Sequence, residues 1–239
     1  MKYLVSFLVL FLLLNSCKKE LKPTTFETTT FETAYTAAIS ITFDRATGQS
    51  DLSKTINANI EKAITTSLNS VENNDDLKTL LNTFNSEYIE FKTQFAEASE
   101  SVWELHVETE LAYQSKTVIT IAISTYEFKG GAHGNAAITF LNLDAKTGAV
   151  LMQNDIIKDL KGFKFLAEKH FIAALTGKEA NLDMESVFFG KPFQLPENIG
   201  YSDDGLVLLY NTYEVATYNE GYTEFVIPFE ELKPYLVTF

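Results

Sequence analysis

Residues 103–128 read WELHVETELAYQSKTVITIAISTYEF, and this stretch decides the fold class. From Trp103 to Tyr113 apolar residues alternate with charged and polar ones, which is typical of a strand with one buried and one solvated face. This period predicts that Trp103, Leu105 and Tyr113 lie on the buried side. After a turn at 114–116, a more apolar strand is predicted over 118–128. The two segments predict an antiparallel hairpin inside a sheet.

A glycine-rich break and a third strand extend this hairpin into a meander. The break covers residues 130–135, and the third strand is predicted at 136–143. The pattern Asp-x-x-Thr-Gly then forms a turn at Asp144. The same pattern occurs at Asp44, where it also predicts a turn between strands. Upstream, residues 26–43 are rich in threonine and aromatic residues and predict one or two further strands.

Apolar residues on both sides of the meander recur at steps of three and four, which predicts amphipathic helices. Two long helices are expected at 51–71 and 75–98, and a third at 163–176. The last sixty residues return to strands, at 193–195, 206–210 and 222–227, before a short helix at 229–236. The expected class is α+β, a mainly antiparallel sheet packed against two long helices, with a third helix in the C-terminal half.

Composition bounds what the protein can be. The chain has 239 residues, of which 46% are hydrophobic, so it can bury a sizeable core and is not disordered. It has 19 basic and 32 acidic residues and a formal net charge of −13. A chain this acidic repels phosphate, so we expect no nucleic-acid partner. Its single cysteine excludes an intramolecular disulfide.

The first residues have the form of a secretory signal. Lys2 precedes an apolar run from Tyr3 to Leu14, too short for a comfortable membrane span. Leu14-Asn15-Ser16-Cys17 resembles the lipobox of bacterial lipoproteins, which implies cleavage after residue 16 and a diacyl group on the Cys17 thiol. Residues 17–30 are predicted to be a polar tether. Because no aspartate follows Cys17, we expect an outer-membrane location in a bacterium with two membranes.

Few residues offer catalytic chemistry. The chain lacks a Gly-x-Ser-x-Gly elbow and a His-Glu-x-x-His motif, and we predict no catalytic residue, metal or cofactor. His170 is expected to be a packed, hydrogen-bonded histidine. His106 shares a strand face with Glu104 and Glu108; a metal is conceivable there, but a solvated acidic face is the favoured interpretation.

The glycine-rich break is the candidate binding site. Three glycines in five residues allow a tight turn or a close approach by another surface, and His133 can donate or accept a hydrogen bond there. A structural loop remains the alternative. The predicted ligand-binding residues are Gly130, Gly131, His133, Gly134 and Asn135.

A family resemblance follows from several segments in fixed order. The segments are residues 126–135, Phe140-Leu141-Asn142-Leu143-Asp144, Thr147-Gly148, residues 206–210 and residues 227–236. Together they resemble the extracytoplasmic, lysozyme-sensing domain of RsiV-type anti-sigma factors, a domain of unknown function also seen in envelope lipoproteins. The upstream half resembles the companion domain found in some peptidoglycan deacetylases. The resemblance implies an N-terminal α+β domain at 31–125 and a C-terminal domain at 126–239.

Three functions stay open, and the resemblance supplies the lysozyme ligand of the first. The first is a binding or sensing lipoprotein for lysozyme or another envelope-targeting protein. A chain of net charge −13 would attract such a ligand if the ligand is cationic. The second is a peptidoglycan or carbohydrate-binding module. Its candidate stacking residues are Tyr201, Tyr210, Tyr213, Tyr218 and Tyr222. The third is an envelope polysaccharide hydrolase using Glu104, Glu108 or Glu110 with His133, or a deacetylase accessory. We expect binding rather than catalysis.

Overall fold

The computed structural model describes residues 22–31, 33–68, 76–95, 101–176, 184–215 and 221–237. The predicted signal peptide, Cys17 and the first part of the predicted tether lie outside these ranges, as does Tyr218. No helix within the described ranges is both long and apolar enough to span a bilayer.

A five-stranded sheet organises the N-terminal part. Its strands are β1 (Phe26–Thr30), β2 (Ala38–Ala46), β3 (Glu104–Gln114), β4 (Val118–Phe128) and β5 (Asn135–Asp144), in that spatial order. All neighbours are antiparallel except β2 and β3, which run parallel because two helices connect them. The predicted meander is therefore confirmed, and the predicted domain boundary at 125/126 falls inside β4.

The two connecting helices cover one face of this sheet. They are α1 (Asp51–Leu68) and α2 (Leu77–Gln94). Ser50 Oγ accepts the Ser53 amide at 3.0 Å at the start of α1. At the start of α2, the Asp76 carboxylate accepts the Thr79 amide at 2.7 Å, which lowers the pKa of Asp76. The helix-side core includes Ile56, Ile60, Leu81, Tyr88, Trp103, Leu105, Ile121 and Leu143.

The C-terminal part forms a second unit with its own core. Its helices are α3 (Gln153–Ile156), α4 (Leu160–Thr176), α5 (Met184–Val187) and α6 (Phe229–Leu232), and its strands are β6 (Asn198–Tyr201), β7 (Gly205–Tyr210) and β8 (Thr223–Pro228). The strands form an antiparallel three-stranded sheet. The predicted third helix is confirmed as α4. The predicted strand at 193–195 is wrong: that segment is irregular, although Phe193 is buried against Phe171.

The C-terminal unit packs onto one end of the second face of the five-stranded sheet. Thr120 and Asn142 point to this face and are buried. Thr120 Oγ1 donates to Asn142 Oδ1 at 2.8 Å, and Asn142 Nδ2 donates to the Ile199 carbonyl at 2.7 Å. The amide of Tyr201 donates to Thr120 Oγ1 at 3.3 Å. Polar strand residues thus join the two units.

A β-bulge near the end of β3 corrects one expected orientation. Leu111 pairs with Ile121, but Tyr113 pairs with Thr120, so one extra residue separates them on β3. Tyr113 therefore lies on the face of Thr120 and not with Trp103, as strict alternation predicted. The Asp44 carboxylate accepts the Leu111 amide at 3.0 Å beside the bulge.

Candidate functional site

A groove crosses the part of the second sheet face that the C-terminal unit leaves open. Its volume is about 610 Å³, within the usual range for ligand sites. We call it the polar groove. Its side chains come from β2, β3, β4 and β5 and from the connection between β7 and β8. The lining residues include Ser40, Thr42, His106, Glu108, Ser124, Tyr126, Ile138, Asn211, Thr212 and Tyr222.

Strand register explains why these residues meet. One row across the sheet is Ser40, His106, Tyr126 and Ala136, each paired with the next. The adjacent row is Thr42, Glu108, Ser124 and Ile138. Directly paired residues carry side chains on the same face, about 5 Å apart. The period of two that buries Leu105 and Val107 therefore presents hydroxyl, imidazole, carboxylate and phenol groups to the groove.

The floor of the groove carries a stacked aromatic pair. The rings of His106 and Tyr126 lie 5.9 Å apart at an angle of 21°. His106 Nε2 also lies 3.4 Å from Glu104 Oε2. Tyr126 is held from the other side by Gly134, where an added Cβ would come within 2.5 Å of the phenol ring. These contacts place both rings on the floor of the groove.

Asn211 attaches the rim of the groove to the edge of the sheet. Its Oδ1 accepts the Ile138 amide at 2.8 Å, and its Nδ2 donates to the Ile138 carbonyl at 2.9 Å. Glu214 Oε1 accepts the Asn211 amide at 3.1 Å. Burial raises the pKa of the Glu214 carboxyl, and the hydrogen bonds from Asn211 offset this only in part. The side chain of Tyr222, on the far side of the connection, is 51% exposed.

The glycine-rich break forms the loop between β4 and β5, at one end of the groove. Gly130 and Gly131 have φ angles of 89° and 103°, a region that favours glycine. His133 is exposed, and its Nδ1 lies 3.2 Å from the Gly134 carbonyl oxygen. Asn135 begins β5 and is exposed. The loop thus borders the groove through Gly134, while His133 does not line it.

Lys129 ties the start of this loop to α2. Its Nζ lies 3.2 Å from Glu87 Oε2 and 3.3 Å from Glu127 Oε1, and it also lies 5.6 Å from the ring centroid of Trp103. Burial by itself would lower the pKa of Lys129, but the two carboxylates outweigh it and raise that pKa. These contacts hold the first residue of the loop in place against α2 and β4.

The structure places some of the other candidate residues at the groove and some elsewhere. Glu108 lines the groove, and Glu104 contacts His106, but the predicted grouping with His133 is not seen among the lining residues. His170 is half-buried and lies 3.2 Å from Glu231 Oε2, as expected of a packed histidine. Tyr201 and Tyr210 are buried, whereas Tyr213 and Tyr222 are exposed. Within the described ranges, no cluster of three or more His, Cys, Asp or Glu residues is placed to hold a metal.

Sequence reasoning missed most of the groove. Ser40, Thr42, Ser124, Asn211 and Thr212 are common residue types with no motif. The available signal is the alternation itself. It identifies the face opposite the core, but a face of charged and polar residues is expected to be solvated. The β7–β8 connection, which is remote in sequence, decides which part of that sheet face becomes one side of a groove.

Comparisons with known proteins agree with this two-part architecture. Residues 152–230 match the family described as Protein of unknown function (DUF3298), and residues 29–136 match the family described as Deacetylase PdaC. The sequence-based identification of a domain of unknown function beside a deacetylase companion domain is confirmed. Together the two matches indicate a domain of unknown function that follows a deacetylase-like domain. The glycine-rich loop lies inside the second match. No curated protein gives a significant match to the chain.

Two crystal structures share the fold over nearly the whole chain. A DUF3298 family member from Bacteroides fragilis has a TM-score of 0.71 at 20% identity, covering 91% of this chain and 96% of that one. A DUF3298 family protein from Pseudomonas aeruginosa has a TM-score of 0.69 at 21% identity, covering 90% and 95%. Both units of this chain are therefore part of the shared fold.

Proposed function

We propose that this chain is a lipid-anchored binding module of the bacterial cell envelope, and that the polar groove holds a glycan segment. The observation that carries the proposal is the groove itself, in which polar and aromatic side chains from four neighbouring strands are exposed beside the C-terminal unit. The envelope setting is supported by the signal and lipobox at Cys17 and by the two family matches.

The lining suits an uncharged, hydroxyl-rich ligand. Ser40, Thr42 and Ser124 each offer a hydroxyl that can donate and accept. Tyr126 and Tyr222 offer aromatic surface, on which the C–H faces of sugars stack. Among the described lining residues, Glu108 is the one acidic side chain, and it can accept from a sugar hydroxyl. The described lining includes no lysine or arginine, which favours an uncharged ligand over an anion.

The position of the groove agrees with an anchored protein. The chain enters the fold at Thr24, whose carbonyl accepts from Gln114 Nε2 at 3.0 Å. Gln114 ends β3, while the glycine-rich loop lies beyond the opposite end of the sheet. At about 3.3 Å per residue, ten residues of strand separate the two ends by about 33 Å. A lipid on Cys17 would thus leave the loop end of the groove facing away from the bilayer.

A binding assay with defined sugars tests the glycan proposal. Calorimetry of the protein with chitotetraose and with muramidase-released peptidoglycan fragments should give saturable heat. Tyr126→Ala should weaken binding at least tenfold, because it removes one stacking platform and the partner of His106. Tyr213→Ala is the matched control, since Tyr213 is exposed but does not line the groove. Equal effects of the two substitutions, or no heat with either sugar, would overturn the proposal.

Lysozyme or a similar cationic protein is the second candidate, favoured by the net charge of −13. Added salt should weaken such a complex, since charges are screened beyond about 8 Å at physiological ionic strength. Bulky residues at Gly131 should also weaken it. An added Cβ there meets no neighbour within 4 Å, but the φ of 103° strains any residue other than glycine, so circular dichroism must show that the variant keeps the fold. Absence of heat with lysozyme at low salt would remove this candidate.

The anchor has its own test. Cys17→Ser should abolish labelling by radioactive palmitate and release the protein from the membrane fraction. Separation of the two membranes by density then checks the outer-membrane expectation.

A further inference from the structure

A second cavity lies on the same sheet face, at the end where the chain enters the fold. Its volume is about 400 Å³. We call it the tether-side cavity, and its principal lining residues are Tyr113, Ser115, Thr117, Tyr201, Phe229 and Lys233. It shares no lining residue with the polar groove.

Three aromatic rings form one wall of this cavity. The rings of Tyr113 and Tyr201 lie 5.8 Å apart at 20°, and those of Tyr201 and Phe229 lie 6.3 Å apart at 24°. Tyr113 and Phe229 complete the set at 6.1 Å. Leu236 and Val237 add apolar surface from the end of the chain. The wall is thus continuous, apolar and contributed by both units.

The bulge in β3 builds this wall. Without the extra residue, Tyr113 would lie with Leu111 on the helix-side face, and the cavity would lose its first ring. Asp44 holds the bulge through the Leu111 amide and also accepts the Thr28 hydroxyl at 2.9 Å. A polar tie between three strands therefore maintains an apolar surface that faces outward.

The rim of the cavity is cationic in an acidic protein. Lys233 lines it, and Lys116 lies in the turn between Ser115 and Thr117. Salt bridges within the described ranges involve neither lysine. An apolar pocket with the Lys233 side chain in its lining fits a molecule that has a hydrophobic chain and an anionic head.

We propose that the tether-side cavity binds a fatty-acid-like amphiphile, with the chain against the ring wall and the carboxylate near Lys233. The location favours such a ligand, because Gln114, at the adjacent end of β3, contacts Thr24. With a lipid on Cys17, seven residues would separate that lipid from Thr24, a span of at most about 25 Å. The cavity thus lies within reach of the membrane, which is the source of such amphiphiles. The choice of ligand rests on the proposed lipid anchor, but it does not depend on what the polar groove binds.

Calorimetry with sodium decanoate and with 1-decanol tests it, using protein that carries Cys17→Ser so that no detergent competes. Decanoate should bind at one site. Tyr113→Ala should weaken binding of both probes at least tenfold, while Tyr113→Phe keeps the ring and should leave binding unchanged. Lys233→Gln should weaken binding of decanoate severalfold and leave binding of decanol unchanged, because only decanoate is charged.

Two control variants make the test specific. Lys169→Gln removes a lysine from α4 that does not line the cavity, and Tyr222→Ala alters the polar groove. Neither should change decanoate binding. The proposal is overturned if decanoate gives no heat at millimolar concentration. It is also overturned if Lys233→Gln weakens binding of decanoate and decanol equally, or if Tyr113→Ala and Tyr222→Ala weaken decanoate binding equally. Circular dichroism of each variant checks that the fold is kept.

Discussion

The second face of the five-stranded sheet has a covered end and an open end, and the same strands build both. At the covered end, Thr120 and Asn142 are buried and hydrogen-bonded to each other and to β6. At the open end, Ser124 and Tyr126 continue the alternation of β4 but line the polar groove. The difference shows that one strand pattern serves two purposes: joining the units where a partner strand covers it, and presenting a site where none does.

Removing a polar side chain should be costly at the covered end and nearly neutral at the open end. Asn142→Ala removes the acceptor of the Thr120 hydroxyl and the side-chain donor to the Ile199 carbonyl, both at buried positions. Each lost partner costs about 1–3 kcal/mol, so we expect a loss of about 2–6 kcal/mol in the free energy of unfolding. Ser124→Ala should change it by less than about 0.5 kcal/mol, since Ser124 is exposed.

Urea denaturation followed by circular dichroism measures both values. A similar loss for both variants would mean that the open end is also structural, which would contradict the assignment of the groove as a site.

Two glycines, Gly200 at the covered end and Gly134 at the open end, allow the same comparison of stability, with a smaller expected loss. An added Cβ at Gly200 would lie 2.5 Å from Cγ of Phe140, close to the backbone of β5, where the ring has little freedom. We expect Gly200→Ala to cost about 1–3 kcal/mol by overpacking. At Gly134 the added Cβ meets the far end of the Tyr126 ring, at 2.5 Å, and that ring can swing into the groove.

Gly134→Ala should therefore cost less stability than Gly200→Ala but should alter ligand binding. Thermal unfolding and the sugar titration, performed on both variants, separate the two effects. If Gly134→Ala unfolds the protein as readily as Gly200→Ala, then Tyr126 is not free to move and the open end is as tightly packed as the covered one.

The smallest expected effect is a pH dependence at the rim of the groove. The folded-state pKa of Glu214 is raised by burial, so its charged form disfavours folding. That penalty is present above the folded-state pKa and vanishes as the pH falls below the unfolded value of 4.5. Glu214→Gln should thus be slightly more stable than the natural protein at pH 7, and the difference should fade toward pH 4. A difference that grows on acidification would contradict the direction of the shift.

Local patterns predicted the elements well, and tertiary contacts decided the exceptions. Helices α1, α2 and α4 and strands β3 to β5 follow directly from the period of their apolar residues. The two Asp-x-x-Thr-Gly patterns, however, are used differently. Asp144 caps its own turn, accepting from the Lys146 and Thr147 amides at 2.8 Å, whereas Asp44 lies within β2 and bonds to β1 and β3. The shared pattern cannot reveal that difference, because the partners of Asp44 are remote in the chain.

The candidate site was likewise predictable only where local backbone geometry determines it. The sequence alone determined that residues 104, 106 and 108 share a solvent-facing side and that the glycine-rich loop turns tightly, since both follow from backbone geometry. Only the tertiary structure decided that the C-terminal unit covers part of that side, that Asn211 joins the β7–β8 connection to the sheet edge beside the rest, and that a bulge moves Tyr113 to the opposite face. Those outcomes depend on contacts between segments that are far apart in sequence. The local pattern of apolar residues carries no information about the energies of such contacts.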